Sequence, residues 1–237
     1  MLNQLLLNGI ISGSIYALIA LGFAVIYKTV RFFHFAHGIV YTAGAYFAYS
    51  LSISLGINVI LSFFLASAFS AILGIAIDRC IYLPLRKNNA PPLVFLIASF
   101  GVFIFIQNLL QLIYGAQILT LRTGVIKEGH QFLGAVITNI QILMLAVSCW
   151  LLVMLWFVVE RTKMGKAIRA VADDPVGASV AGIYSERVIL YAFGIGSALA
   201  GAAGILISYE TNIEPTMGMN AILKGIIASL IGGMGNV

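Results

Sequence analysis

The sequence predicts an all-α membrane protein, a polytopic bundle of six full transmembrane helices plus a short or broken seventh element. Three observations support this fold class: 61% of the 237 residues are hydrophobic, only 9% are charged, and the mean hydropathy is +1.05. Soluble globular domains carry about 25% charged residues, so the composition excludes that class. We expect a single transmembrane domain, 1–237, surrounded by the lipid bilayer.

Apolar runs between polar segments predict the individual spans, because about 20 apolar residues cross a bilayer as a helix. The predicted spans cover residues 5–27, 32–55, 59–77, 93–114, 140–159 and 188–209. A seventh run, 221–231, is too short to cross before Gly232 and Gly233. This run predicts a re-entrant or broken helix, or a chain whose C-terminal portion is missing. The backbone after Gly232 is expected to be non-helical and enclosed within the bundle.

The positive charges predict the orientation of these spans. Ten of the thirteen Lys and Arg residues fall in the segments 28–31, 78–92 and 160–187, which six alternating spans place on one side. Lys and Arg gather on the cytoplasmic side of membrane proteins. We therefore expect these segments in the cytoplasm and the N-terminus in the periplasm, in a bacterial inner membrane. The same bias explains the net charge of +5 without nucleic acid as a partner.

The most polar stretch of the chain, 160–187, has features of a docking element. Its small and apolar residues recur at helical spacing, which predicts a helix with an apolar ridge and a basic rim. Asp174 followed by Pro175 predicts the N-cap and first position of a second short helix, which Gly182 would end in a left-handed conformation. The first helix, with its apolar ridge and basic rim, is suited to docking in a groove on a soluble partner. A plain cytosolic loop, fixed by its positive charge, is the equally weighted alternative.

Eight residues of this stretch are the candidates for docking. They are Met164, Gly165, Lys166, Ala167, Ile168, Arg169, Val171 and Asp173. The spacing of Arg169 and Asp173 also predicts an i,i+4 ion pair.

Polar side chains inside the predicted spans are candidates for a substrate pathway, because burying them against lipid is costly. We expect His37, Gln107 and Asn108 to face the bundle interior, and Gly232 and Gly233 to belong to the same pathway.

Other kinds of site are disfavoured by the sequence. His34 and His37 are spaced to share a metal ion, but no Cys, Asp or Glu lies nearby, so histidines held by hydrogen bonds explain the pair better. No acid falls within a predicted span, which argues against coupling to an ion gradient. The sequence contains no P-loop, catalytic pair or cofactor motif, so we expect neither an enzyme nor a cofactor. Lys224 is expected to snorkel to the interface.

Six stretches of the chain carry a resemblance to a known family. They are GSIYALIALGFAVIY, FAHG, DRCIYLPLR, LIASFGVFIFIQN, KMGKAIRAVADDPVGASVAGI and IEPTMGMNAILKGIIASLIGGMGNV. In their order and spacing, the chain resembles the LivH-type permeases of branched-chain amino-acid ABC importers over essentially its whole length. The family usually has Asn where this chain has His34, and its members continue past the final glycines.

The resemblance implies a transport subunit for leucine, isoleucine and valine. The implied partners are a homologous LivM-like permease, two cytoplasmic ATPase subunits and a periplasmic substrate-binding protein. It further implies that the loop 160–187 engages the ATPase.

Two alternatives stay open at this stage. Related permeases serve urea, short amides or other small polar metabolites, because substrate choice rests largely with the binding protein. An ATP-independent channel or facilitator would keep the same spans but would have no use for a docking helix. Co-purification with an ATPase subunit separates this second alternative from an importer.

Overall fold

Helices form almost all of the regular structure in the computed structural model, which describes residues 2–122, 129–132 and 134–233. In chain order they are α1 (Leu2–Val30), α2 (Ala36–Tyr49), α3 (Val59–Ile77), α4 (Leu83–Lys87), α5 (Pro92–Tyr114), α6 (Asn139–Arg161), α7 (Lys163–Asp173), α8 (Pro175–Val180), α9 (Ser185–Ser208) and α10 (Met217–Ile231). Two π-helical segments, Ser50–Ser54 and Asp78–Tyr82, extend α2 and α3. The predicted all-α class is confirmed.

Five helices of the described residues are long and apolar enough to cross a membrane. They are α1, α5, α6, α9 and the continuous helix Val59–Lys87, which comprises α3, its π-helical segment and α4. These helices coincide with five of the six predicted spans. The remaining predicted span, 32–55, is shorter in the structure, because α2 begins only at Ala36 and its π-helical extension ends at Ser54.

The short helix α2 is enclosed by other helices. It contacts α3, α5, α9 and α10, and twelve of its fourteen residues are buried. A helix that presents little surface to lipid does not need the full apolar length of a membrane span. Its small residues, such as Gly38 and Gly44, also let the neighbouring backbones approach closely.

Helix α9 lies at the centre of the bundle, with α1, α2 and α3 packed against it. Glycines form the closest of these contacts. A Cβ added to Gly44 of α2 would stand 2.5 Å from the Cα of Gly201, and one added to Gly22 of α1 would stand 2.8 Å from the carbonyl oxygen of Gly196. Because lipid supplies no hydrophobic drive for helix association, such close backbone packing is a main source of bundle stability.

The segment 78–92 was predicted as a polar link, and this prediction is wrong for residues 78–87. The helix that begins at Val59 continues to Lys87. The continuation is possible because the carboxylate of Asp78 is buried inside the protein and is paired with Arg86. Asn89, with φ of 51°, then turns the chain towards α5.

The segment 115–139 contains a small sheet in its described part. Strands β1 (His130–Phe132) and β2 (Ala135–Ile137) pair antiparallel, with Gln131 opposite Val136. The Gln4 side chain of α1 bonds both backbone groups of Val136, at 2.7 and 3.0 Å. The hairpin therefore lies at the N-terminal end of α1.

Helix α10 ends where the glycines predict. Its last residue is Ile231, Gly232 follows as the C-cap, and Gly233 adopts a positive φ of 80°. The helix begins at Met217, four residues before the predicted start of the apolar run. The predicted course of the backbone over 234–237 lies outside the described residues.

Candidate functional site

The loop 160–187 folds into two short helices, α7 and α8, set between α6 and α9. Thr162 begins α7 as its N-cap, with its Oγ1 accepting a hydrogen bond from the Gly165 amide at 3.1 Å. Asp174 begins α8 in the same manner, because its Oδ1 accepts from the Val176 amide at 2.9 Å. Gly182 follows α8 with φ of 82°. The predicted two-helix arrangement of this loop is confirmed.

The apolar ridge of α7 packs against the chain itself. Ile168 and Val171 are 2% and 1% exposed, and they form a small core with Ala178 of α8 and Val188 of α9. Met164, Ala167, Ala170 and Ile183 pack against this core and are partly buried. Ile168 and Val171 are therefore not available to a partner protein, whereas docking through the partly buried Met164 and Ala167 stays a prediction. An 11-residue helix is marginal alone in water and needs this packing to hold its place.

Two arginines fix α7 to the bundle. Arg31, just after α1, adopts φ of 55° and donates to the carbonyl oxygens of Ala172 and Asp173 at 2.5 and 3.0 Å. A cation at the C-terminal end of a helix is favoured by the helix dipole. Arg169 pairs with Glu160 at 3.3 Å, so the predicted ion pair with Asp173 is wrong. Because the partner lies on α6, this ion pair holds α7 to the preceding span.

Gly165 lies at the corner between α6 and α7. A Cβ added there would overlap the carbonyl oxygen of Val159, at the end of α6. The glycine is thus required for the corner itself, and a bulky residue at this position would disrupt the fold of the loop. A variant at Gly165 is for this reason a poor test of docking.

The surface that this loop offers to the outside is on α8 and the turn after it. Val176, Val180 and Tyr184 are 72%, 87% and 71% exposed. Lys166 and Asp173 of α7 are also exposed. The guanidinium of Arg187 lies 4.8 Å from the centre of the Tyr184 ring, which orders this end of the surface. We call Val176, Val180 and Tyr184 the outer apolar face.

A buried charge network fixes the far end of the loop. Arg86 of α4 donates to Asp78 at 2.8 Å and, through a second nitrogen, to Glu186 in the first turn of α9 at 2.8 Å. The Asp78 side chain is 1% exposed, that of Arg86 16% and that of Glu186 46%. The middle and the far end of the loop are therefore tied to the bundle by arginines, one after α1 and one on α4.

A cavity of about 760 Å³ opens between α1, α6 and α7. Its inner wall is apolar, with Leu21, Leu155 and Trp156 among its residues, and its rim carries charges that include Glu160 and Arg169. The cavity separates the outer parts of α1 and α6, so α7 bridges the two helices across it.

The predicted pathway residues lie in three different settings. His37 is fully buried, edge-on to Phe23 with 6.2 Å between ring centres, so its interior position is confirmed. Gln107 is half-buried. Asn108 is exposed and donates to the Ile104 carbonyl of its own helix at 2.8 Å, so the prediction that it faces the bundle interior is wrong. An amide side chain can form its hydrogen bond with a backbone carbonyl of its own helix, and the position of Asn108 in the sequence does not reveal this.

The last two predicted pathway residues, Gly232 and Gly233, lie apart from the other three, past the end of α10. Gly232 is exposed and Gly233 is half-buried. None of the five predicted pathway residues lines the cavity between α1, α6 and α7. Their common role in a pathway stays a prediction.

His34 is an interior residue rather than an interfacial one. It is fully buried, its Nδ1 lies 2.9 Å from the hydroxyl of Tyr82, and its ring meets Phe193 edge-on at 5.1 Å. The segment 32–35 thus returns into the bundle before α2 begins. In the sequence, His34 follows closely after Lys28 and Arg31. Nothing in this order of residues shows that the chain turns back into the bundle before α2.

Comparison with known proteins identifies the family. The family model described as "Branched-chain amino acid transport system / permease component" matches residues 5–237. The chain belongs to this permease family. Together with the five apolar helices of spanning length, membership makes the chain a multi-pass membrane protein and a transport subunit rather than an enzyme.

Individual relatives are similar to nearly the whole of this chain. The chain is 34% identical to the high-affinity branched-chain amino acid transport system permease protein BraD of Pseudomonas aeruginosa and to LivH of Escherichia coli K12, with 99% of this chain and 80% of each relative covered. It is 28% identical to a probable LivH of Methanocaldococcus jannaschii, with 99% of this chain and 76% of the relative covered. No solved structure matches.

Sequence reasoning missed three structural features of this permease. The Arg31 contact with α7 and the Arg86 network join residues about 100 or more positions apart, so no local pattern could find them. The third feature is Lys224, whose ammonium lies 3.0 Å from the hydroxyl of Tyr16. The signal for it was present in the sequence, because a single cation stands within an otherwise uncharged apolar segment.

Proposed function

We propose that this permease is the transmembrane subunit of an ATP-driven importer that moves leucine, isoleucine and valine across the bacterial inner membrane. Its proposed partners are a homologous LivM-like permease, two cytoplasmic ATPase subunits and a periplasmic binding protein. The observation that carries the proposal is family membership over residues 5–237, together with relatives whose names specify branched-chain amino acids. Urea, short amides and other metabolites have no comparable support among these relatives.

The substrate is tested directly by the ligand of the cognate binding protein. We expect that the binding protein which co-purifies with the assembled complex carries leucine, isoleucine or valine, identified by mass spectrometry after denaturation. Urea, an amide or a sugar in their place would contradict the substrate part of the proposal.

The loop 160–187 is the proposed site of ATPase docking. Its inner face is used by the chain itself, so the outer apolar face of Val176, Val180 and Tyr184 is left for the partner. Exposed apolar side chains on a rigid support are the usual centre of an interface, and rim charges such as Lys166 contribute less. The contacts of Arg31 and Arg86 hold the loop rigidly to the bundle. They would let the loop transmit a movement of the ATPase to α1 and α9.

Replacing Val180 by aspartate tests this docking surface. Because Val180 is 87% exposed, the change should leave folding nearly unaffected. A buried charge at the interface should lower the amount of ATPase retained on the purified permease about tenfold or more. The matched control is Val136→Asp, at an exposed valine in the hairpin far along the chain. Equal ATPase retention in the two variants would exclude the outer apolar face as the docking site.

The proposed orientation places the N-terminus in the periplasm. We expect reporter fusions at Lys87 and Lys166 to report a cytoplasmic location, and a fusion at Glu214 a periplasmic one, because ten of thirteen basic residues fall on one side of six alternating spans. A periplasmic signal at Lys166 would contradict this orientation and the docking proposal with it.

A further inference from the structure

A line of polar side chains runs down one side of the N-terminal half of helix α1. Gln4, Asn8, Ser12 and Tyr16 are four residues apart, so they follow one another along the same side of the helix. Gln4 donates to Asn8 at 3.2 Å, and Asn8 is exposed. The line begins at the N-terminal end of α1, beside the β1–β2 hairpin, and extends to the middle of the helix.

Lys224 of α10 lies at the inner end of this line. Its ammonium donates to the Tyr16 hydroxyl at 3.0 Å and lies 4.9 Å from the centre of the Tyr16 ring. Tyr16 is the central residue of α1, with fourteen helical residues before it and fourteen after it (Leu2–Val30). If α1 crosses the bilayer, the ammonium is therefore near the bilayer centre, where snorkelling cannot bring it to the interface.

In the part of the chain that the structure describes, Lys224 has no negatively charged partner. None of the three ion pairs among the described residues includes Lys224. The side chain is exposed on the lateral surface of the bundle rather than enclosed in it. A cation at the bilayer centre is costly against lipid, and such residues face protein or a water-filled cavity and mark substrate pathways. The surface that carries Lys224 and the polar line should therefore face another protein or a water-filled cavity.

We propose that Lys224 and Tyr16 form the point at which the carboxylate of the transported amino acid is held midway through the membrane. The assignment rests on the proposed function, because the second permease subunit would close the space in front of this surface. The donors suit a carboxylate: the ammonium keeps further N–H groups, and the Tyr16 hydroxyl, having accepted from Lys224, can donate its own proton outward. The line from Gln4 to Ser12 would lead a polar substrate from the hairpin side to this point.

A carboxylate of the substrate explains the geometry better than an acidic side chain of the second subunit does. An ion pair between subunits requires only Lys224 and its partner. It gives no reason for polar residues to continue from Tyr16 to the N-terminal end of α1. An ion pair between subunits is nevertheless the alternative that the experiment must separate.

The test uses the complete importer in proteoliposomes and measures initial uptake of radiolabelled leucine at low concentration. We expect Lys224→Met to lower uptake about tenfold or more, the effect of losing a charge-assisted hydrogen bond, and Lys224→Arg to stay within about threefold of the unchanged protein. The amounts of the partner subunits that co-purify should be the same in all variants. Ile227→Ala, at an exposed neighbour on α10, is the matched control and should leave uptake unchanged.

Chemical restoration of the charge adds a second readout. In a chain with Cys80→Ser and Cys149→Ser, which removes the two native thiols, Lys224→Cys should lose uptake to the same extent as Lys224→Met and should regain it after reaction with aminoethyl methanethiosulfonate. The reagent forms a mixed disulfide with the thiol, releases methanesulfinate, and places an ammonium where the lysine had one. Leucine uptake that is not restored, although the thiol has reacted, would contradict the assignment.

Each other outcome has a separate meaning. Uptake by Lys224→Met within about twofold of the unchanged protein overturns the assignment alone. Loss of the second permease from the purified Lys224→Met complex overturns it in favour of an ion pair between subunits. An unchanged importer that takes up none of the three amino acids overturns the proposed function, and the assignment with it.

Discussion

Replacing Gly204 by alanine is expected to destabilise the permease by about 2–3 kcal/mol. The added methyl group would overlap the carbonyl oxygen of Tyr41, on the neighbouring helix α2. Backbone cannot move aside as a flexible side chain can, so α9 and α2 would have to separate at the centre of the bundle. The measurement is the temperature at which half of the detergent-purified protein stays monodisperse, which we expect to fall by several degrees.

Gly101→Ala is the matched control for this prediction. Gly101 lies in α5, where a Cβ would meet no atom within 4 Å. Alanine favours a helix over glycine by about 1 kcal/mol, so this variant should be unchanged or slightly more stable. A Gly204→Ala variant as stable as Gly101→Ala would contradict the close packing of α9 against α2.

Replacing Arg86 by methionine is the second change with a large expected effect, about 3–5 kcal/mol. The substitution keeps most of the side-chain volume but leaves the Asp78 carboxylate unpaired at 1% exposure. Removing one member of a buried ion pair is far more costly than removing the pair. It also frees the start of α9 from α4, so ATPase turnover stimulated by the loaded binding protein should fall together with the unfolding temperature.

Two further variants test whether the unpaired carboxylate of Asp78 causes the loss of stability expected for Arg86→Met. Glu186→Gln removes the more exposed partner of Arg86, at 46% exposure, and should cost about 1 kcal/mol or less. The double variant Asp78→Asn with Arg86→Met removes both buried charges and should recover part of the lost stability. If Arg86→Met is as mild as Glu186→Gln, the Asp78–Arg86 pair does not stabilise the fold.

Local patterns in the sequence sufficed to predict the long apolar helices. The apolar runs that became α5 and α6 are long and uncharged, because lipid imposes both properties on any helix that it surrounds. The runs that became α1 and α9 are equally long and uncharged, although other helices cover more than half of their surface. The chemistry of helix ends was equally local. Asp174, Pro175 and Gly182 define α8 by rules that act within a few residues.

The direction in which a side chain points could not be predicted where distant contacts decide it. Ile168 and Val171 form an apolar ridge on any helix, but only the position of Val188 shows that the ridge is already occupied. The length of α2 depends on the four helices that enclose it, and the environment of His34 depends on Tyr82 and Phe193.

Uptake of leucine against its gradient tests the central claim most directly. The permease is reconstituted with its second permease and ATPase subunits in proteoliposomes, loaded binding protein is supplied on the outer side, and ATP is supplied or omitted on the inner side. The account predicts that radiolabelled leucine accumulates above its outside concentration with ATP, that it does not without ATP, and that isoleucine and valine compete. Leucine that equilibrates at the same rate with or without ATP would show a facilitator and contradict the account.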